Sequence, residues 1–250
     1  MKLRLDKLLV SRGLASSRER SQALILAGKV LVNEQKIEKA GASVDPDAQI
    51  RLLDTGNRYV SRGGLKLEKA LEHWKIDVSG RTCLDVGAST GGFTDCLLQH
   101  GAAKVIAVDT GYGQMDLRLR NDPRVRLLEK TNARYLKPED VPEPVDFVAM
   151  DVSFISATLV LPAVLRAVTL SAKRGNQVKV VVLVKPQFEV GREQVGKGGI
   201  VKDEALQAAS IEKVRGCLIE LGFEKTEVVE SPILGTKGNR EFLLYAQPSR

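Results

Sequence analysis

The stretch Asp85-Val86-Gly87-Ala88-Ser89-Thr90-Gly91-Gly92-Phe93 has the composition of a ligand-holding loop. It joins an apolar, strand-like run to a helical one. Gly87 permits a sharp turn after the strand. Gly91 and Gly92 let a ligand approach the backbone with no Cβ in the way. The helix that starts there offers unpaired N–H groups. Asp109 ends the next apolar run, 24 residues after Asp85, where a carboxylate can accept from both hydroxyls of a ribose. Asn132 follows the third run. It is placed to meet an adenine edge, and turn propensity alone explains it equally well.

Three uses of such a loop compete. A dinucleotide site wants G-x-G-x-x-G, and Ala88-Ser89 breaks that spacing. A tight turn with no ligand is the second. The spacing D-x-G-x-x-x-G-G instead resembles a loop that holds S-adenosylmethionine. Moving a methyl group from a sulfonium to oxygen is an in-line displacement. The donor is already activated, so the protein must align it and sharpen the acceptor hydroxyl. A ribose 2′-hydroxyl is a poor nucleophile, and a lysine that takes its proton or stabilises the developing charge would help. Four charged residues are suitably placed: Lys66 on a helix before the first run, Asp151 ending the fourth, Lys185 ending the fifth and Glu241 opening the last. Asp151 and Lys185 fall on the same rim as the glycine loop. Singly, each is an ordinary surface charge or ion-pair partner; their joint placement carries the argument.

Other residues carry less. Gly191-Arg192-Glu193-Gln194-Val195-Gly196-Lys197-Gly198 nearly spells a phosphate-binding loop. Gly198 stands where Mg²⁺ needs Ser or Thr, which argues against nucleotide hydrolysis and leaves a basic loop near the substrate. His73 and His100 share no motif. Cys83, Cys96 and Cys217 are too few and scattered for a disulfide framework or a metal site, and they fit a reducing cytoplasm.

The elements that must position these groups fall into two sets. Leu3 to Val10 reads as a short helix ended by Arg12-Gly13. Ser16-Ser17-Arg18-Glu19 is a capping box, with Ser16 as the cap of a helix that runs to Ala27 and Gly28. Val30 to Val32 and Gln49 to Leu53 read as strands, and Asn33-Glu34-Gln35 as a turn. This compact α+β unit ends at the polar break Asp54-Thr55-Gly56-Asn57, which gives a domain over 1–56, a linker over 57–63 and a second domain over 64–250. A helix covers 64–74. From Thr82 onward, buried strands (Cys83–Val86, Val105–Val108, Val125–Leu128, Val145–Met150, Val178–Val184) alternate with helices near 92–100, 113–120, 157–170 and 203–221. That alternation predicts a parallel sheet covered on both faces. Phe223–Val229 and Phe242–Ala246 have no room for a crossover helix between them, so the sheet closes antiparallel at its edge. The expected fold is α/β and Rossmann-like: a mostly parallel seven-stranded sheet with one antiparallel edge strand.

The chain has 250 residues, 43% of them hydrophobic, and a net charge of +7. Residues 1–75 hold 15 Lys and Arg against 9 Asp and Glu, the remainder 23 against 22. The positive excess therefore sits in the first third and suggests a polyanion bound there. No apolar run is long enough to span a membrane, and the N-terminus lacks the pattern of a signal peptide.

Arg4 to Leu9 with Gly28 to Asn33, Tyr59 to Leu67, Asp85 to Phe93, and Lys185 to Gly199 carry a resemblance that covers essentially the whole chain. The sequence resembles the TlyA (hemolysin-A-like) family of 2′-O-ribose rRNA methyltransferases: an S4-like RNA-binding domain before an FtsJ-like catalytic domain. The most specific stretch is Lys185-Pro186-Gln187-Phe188-Glu189-Val190-Gly191-Arg192 with Val195 to Gly199. The resemblance implies a K-D-K-E tetrad at Lys66, Asp151, Lys185 and Glu241, in which Lys185 acts on the 2′-hydroxyl. It implies S-adenosylmethionine as cofactor, held by the loop residues Asp85, Gly87, Ala88, Ser89, Gly91, Gly92 and Phe93, with Asp109 and Asn132 placed by their strand ends to complete the site. The target implied is a cytidine of small- or large-subunit rRNA in the cytoplasm. Arg4, Lys7, Arg12, Arg18, Arg20 and Lys29 are the expected phosphate contacts. Residues 1–58 contain no aromatic residue, so shape and backbone should be read there rather than stacked bases. A non-catalytic RNA-binding assembly factor is the rival reading, and the intact tetrad argues against it. A nicotinamide oxidoreductase is disfavoured by the loop spacing. Pore formation has no physical support in this sequence.

Overall fold

The computed structural model describes residues 2–15, 17–53, 58–171 and 177–249. The front of the chain runs β1 (Leu3–Arg4), α1 (Leu5–Ser11), α2 (Arg18–Leu26), β2 (Val30–Val32), β3 (Gln35–Lys36), β4 (Ser43–Val44) and β5 (Ile50–Leu52). β2 pairs antiparallel with β3 and β5, and β1 pairs antiparallel with β4. Asn33 and Glu34 both adopt left-handed φ, 49° and 63°, as a two-residue hairpin turn requires. Leu5, Leu8, Leu9, Ile25, Val30 and Val32 form the small core. The first two residues of the expected helix are thus a strand, held by pairing with a distant segment. α2 is capped by Ser17, whose hydroxyl accepts from the Arg20 N–H at 3.2 Å. Ser16, the expected cap, lies outside the described residues, as does the break at 54–57.

The remainder runs α3 (Gly63–His73), β6 (Thr82–Val86), α4 (Gly92–Gln99), β7 (Lys104–Val108), α5 (Leu117–Arg120), β8 (Val125–Leu128), β9 (Phe147–Met150), α6 (Leu161–Ser171), β10 (Lys179–Val184), α7 (Pro186–Glu189), α8 (Glu204–Glu220), β11 (Lys225–Glu230) and β12 (Phe242–Gln247). Seven strands form one sheet in the order β11-β12-β10-β9-β6-β7-β8. β12 runs antiparallel to both neighbours, and the pairs from β10 to β8 are parallel. The closing hairpin lies at the sheet edge as expected, with the reversed strand one place in from the rim.

Alternation along each strand sends side chains to two cores. Leu84, Ile106, Val148, Val182 and Leu244 face α6 and α8. Cys83, Val105, Phe147, Val181 and Leu243 face α3 and α4. Burial on both faces explains the unbroken Val-rich run of β10. Two helices are shorter than the sequence suggests. Asp116 caps α5 by accepting from the Arg118 N–H, so the helix starts late. A 3₁₀ turn at Ala157–Leu159 precedes α6. The far half of the expected linker is packed down: Val60 N–H donates to Asp95 at 2.7 Å, and the Tyr59 hydroxyl donates to Glu68 at 2.9 Å.

Candidate active site

Strand register brings the chemistry to one rim. Val86 of β6 lies beside Met150 of β9, so Gly87 and Asp151 leave the sheet together. Val184 of β10 pairs with Phe242 of β12, which sets the next residues, Lys185 and Glu241, opposite each other. The reversal of β12 is what returns an acid from late in the chain to the carboxyl ends of the parallel strands.

A cleft of about 260 Å³ opens there, lined by Lys66, Asp151, Lys185, Glu241 and the loop residues Gly87, Ala88, Ser89, Thr90, Gly92 and Phe93. Lys66 Nζ lies 2.5 Å from Glu241 Oε2, with both side chains buried. Lys185 Nζ lies 2.5 Å from Asp151 Oδ1 as an ion pair off hydrogen-bond alignment, and donates to Ser153 Oγ at 2.7 Å. Each lysine therefore has its own acid. Gln187 Nε2 reaches Glu241 Oε1 at 3.4 Å.

Close packing around the loop demands its glycines. Gly87 has φ 87°, and a Cβ there would stand 2.3 Å from the Asp151 carbonyl oxygen. Gly91, at φ 94°, stands just before α4 as its N-cap. A Cβ on Gly92 would meet Ser61 Oγ at 2.3 Å and the Gly64 nitrogen at 3.0 Å, so α3 and α4 begin almost in contact. Ser61, Arg62 and Gly63 join the cleft wall for that reason.

Asp85 lies beneath the loop, fully buried, and accepts from the Thr94 hydroxyl at 2.6 Å. Burial pushes its carboxyl up to about 7; Thr94 pulls against that and the charges of Asp151 and Asp109 add to it. Its other oxygen has no donor among the described residues. Asp85 thus supports the loop from below. Asp109 accepts backbone N–H groups of Ser89 at 2.7 Å and Gly111 at 2.6 Å, one on each oxygen. Each oxygen keeps a further lone pair for a ribose hydroxyl. Asn132 is exposed and caps a 3₁₀ turn by accepting from the Arg134 N–H at 3.0 Å, the turn role that its propensity suggested. Asp109 and Asn132 stand farther along the rim and do not line the cleft.

The basic front residues divide. Arg4 and Arg18 both bind the buried Asp6 carboxylate at 2.9 Å, which they hold well below the usual carboxylate range together with Gln22. Arg12 donates to the carbonyls of Ala48 and Pro46. These three side chains are tied into the fold. Lys7, Arg20 and Lys29 make no ion pair among the described residues, and Lys7 and Arg20 are exposed.

Sequence reasoning passed over several residues that shape this site. Ser153 is the hydroxyl partner of Lys185. Gly235 makes room for Glu241, whose carboxylate would lie 1.9 Å from a Cβ there. Asn239 ties two loops together, accepting from the Val201 N–H at 3.0 Å and donating to the Gly199 carbonyl at 2.8 Å. The stretch just after the near-phosphate-loop segment is thereby tied to the loop that precedes Glu241. Phe154 is 92% exposed at φ 64°, with its ring centroid 5.2 Å from that of Phe188. Glu189 accepts from Ser156 and from the Ala157 N–H, so it fixes the turn after β9. Only the short Lys185-Pro186-Gln187-Phe188-Glu189 spacing hinted at this set.

Residues 59–247 match the model of the FtsJ-like methyltransferases, and residues 3–50 that of the S4 domain. The chain belongs to the FtsJ-like methyltransferase family. It is 49% identical over 243 residues to the 16S/23S rRNA (cytidine-2′-O)-methyltransferase TlyA of Mycobacterium tuberculosis, covering 97% of this chain and 88% of that protein. It is 41% identical to Hemolysin A of Brachyspira hyodysenteriae, covering 97% and 99%. A solved hemolysin-like structure from Streptococcus thermophilus is 42% identical with a TM-score of 0.72, covering 99% of this chain and 89% of that one. This FtsJ-like chain is thus a methyltransferase with S-adenosylmethionine as donor, of the TlyA and hemolysin-A kind. Among the described residues no helix is long and apolar enough to cross a membrane.

Proposed function

We propose that this methyltransferase places a methyl group on the ribose 2′-hydroxyl of a cytidine in rRNA, within ribosomal subunits in the cytoplasm. The observation that carries the reading is the pair of lysine–carboxylate contacts, Lys66 with Glu241 and Lys185 with Asp151, facing the glycine loop in one cleft. The relatives named for that reaction support the substrate.

Gly87, Ala88, Ser89, Gly92 and Phe93 would hold the donor, with Asp85 and Gly91 supporting the loop and Asp109 turned to the ribose. When bound, S-adenosylmethionine supplies an electrophilic methyl carbon. Lys185, steadied by Asp151 and Ser153, hydrogen-bonds the 2′-hydroxyl and takes its proton as the oxygen–methyl bond forms and the sulfur–methyl bond breaks. Lys66 and Glu241 orient the ribose. The exposed ring of Phe154 offers a face to a base. The segment 1–56 acts as the RNA-docking domain, joined through 57–63 to the catalytic domain 64–250. Lys7, Arg20 and Lys29 lead its phosphate contacts.

The test is transfer of labelled methyl to purified ribosomal subunits and to free rRNA. Wild type should label ribose in at least one of them, and Lys185→Ala should not. Absence of labelling by the wild type in every substrate would overturn the reading.

A further inference from the structure

Glu241 is 2% exposed, and every contact on its carboxylate matters. Lys66 Nζ holds Oε2 at 2.5 Å. Gly235 leaves room for Oε1. The remaining oxygen, Oε1, meets Gln187 Nε2 at 3.4 Å. The orientation of the Gln187 amide follows from charge: turned over, its oxygen would face a carboxylate. In the orientation found, Gln187 Oε1 is buried without a donor among the described residues, and the polar contact of this side chain there is the one to Glu241.

Gln187 sits two residues after Lys185, in the turn of α7 that follows β10. It therefore belongs to the segment that carries one lysine and touches the acid that serves the other. Lys185 is held by Asp151 and Ser153, and Lys66 by Glu241. Among the described residues no hydrogen bond or ion pair joins the two pairs directly; the Gln187 contact ties the segment that carries Lys185 to Glu241. A neutral donor suits the place. A carboxylate would repel Glu241, and an ammonium would compete with Lys66 for it.

We propose that Gln187 is a positioning residue that fixes the spacing between the Lys66–Glu241 and Lys185–Asp151 pairs. This rests on reading the cleft as the methyl-transfer site. The side chain acts through Glu241 and need not touch the reacting atoms.

The test compares wild type, Gln187→Ala and Gln187→Glu in labelled-methyl transfer to purified ribosomal subunits, from pH 6 to pH 9, with S-adenosylmethionine affinity measured alongside. Gln187→Ala should lower the rate at saturating substrates by about 10-fold to 100-fold, the scale expected for small misplacements of reacting groups. Its affinity for S-adenosylmethionine should stay within about twofold of wild type, since the loop is untouched. Gln187→Glu should be strongly impaired at high pH. It should recover relative to wild type as pH falls, because one proton shared with Glu241 restores a donor between the two acids. Thermal melting of each variant identifies a folding defect, and the pH recovery of Gln187→Glu is a readout that a defect of that kind does not give. Gln187→Ala with the wild-type rate overturns the proposal, and so does a Gln187→Glu deficit that is flat with pH. A wild type that labels no subunit overturns the functional reading, and the role of Gln187 with it. A working wild type beside an unaffected Gln187→Ala overturns the role of Gln187 alone.

Discussion

Lys66 and Glu241 lie 175 positions apart in the chain, yet their charged ends meet at 2.5 Å with both side chains buried. Removing one partner leaves the other charged and shielded from water, which commonly costs about 3–5 kcal/mol. Lys66→Met should therefore lower unfolding free energy by roughly 3 kcal/mol in urea titration. The double variant Lys66→Met/Glu241→Leu should regain most of that while staying inactive. A single variant as stable as wild type would show that the pair is solvated.

Lys185 carries the heaviest chemical demand. Lys185→Ala should cut single-turnover methyl transfer by about 10²–10⁴, the usual contribution of a positioned proton-handling group. Equilibrium dialysis should find S-adenosylmethionine binding little changed, because the glycine loop does not depend on the Lys185 side chain. A loss of binding equal to the loss of rate would assign Lys185 to the cofactor.

Asp85 makes a pH prediction. Its carboxyl is raised by burial from the ordinary 3.8 to about 7 in the folded chain. Between those values the folded state binds the proton that the unfolded state has released, so this group's contribution to stability falls as pH rises from about 4 to about 7. Asp85→Asn removes that slope. Its stability relative to wild type should improve by more than about 1 kcal/mol between pH 5 and pH 8, on the scale of roughly 1.4 kcal/mol per pKa unit. Denaturant melts at the two pH values measure it, and a difference that does not change with pH would count against a raised carboxyl.

Arg18 and Arg20, two residues apart, should behave differently. Arg18→Gln takes a partner from buried Asp6 and should lower the melting temperature of the front segment. Arg20→Gln should leave stability within about 0.5 kcal/mol. Its effect should fall on rRNA affinity, with the salt slope reduced by about one phosphate contact. Equal affinity of Arg20→Gln and wild type at low salt would remove Arg20 from the interface.

The strands β6, β7, β9 and β10 were legible because burial on both faces writes continuous apolar runs into the sequence. Lys185 and Asp151 were legible because each ends such a run. The place of β12, one in from the rim, was not, since partner choice is settled by distant pairing rather than local pattern. Leu3 and Arg4 read as helix because two residues carry no period. The engagement of Arg4 and Arg18 was hidden for a similar reason: Asp6 looks like any acid on a short helix until the fold buries it. Ser153 and Gln187 are polar residues of common type, and only their contacts in space mark them.

The pairing of β12 with β10 has one more effect. A slip of two residues would keep every apolar side chain on its own face, so hydrophobic patterning alone does little to forbid it. It would also carry Glu241 about 7 Å along the sheet, away from Lys66. The contact between these two charges therefore acts as a detent: it selects one alignment of the closing strand from those that oil-and-water sorting would tolerate, and a misaligned chain would be inert while still looking folded.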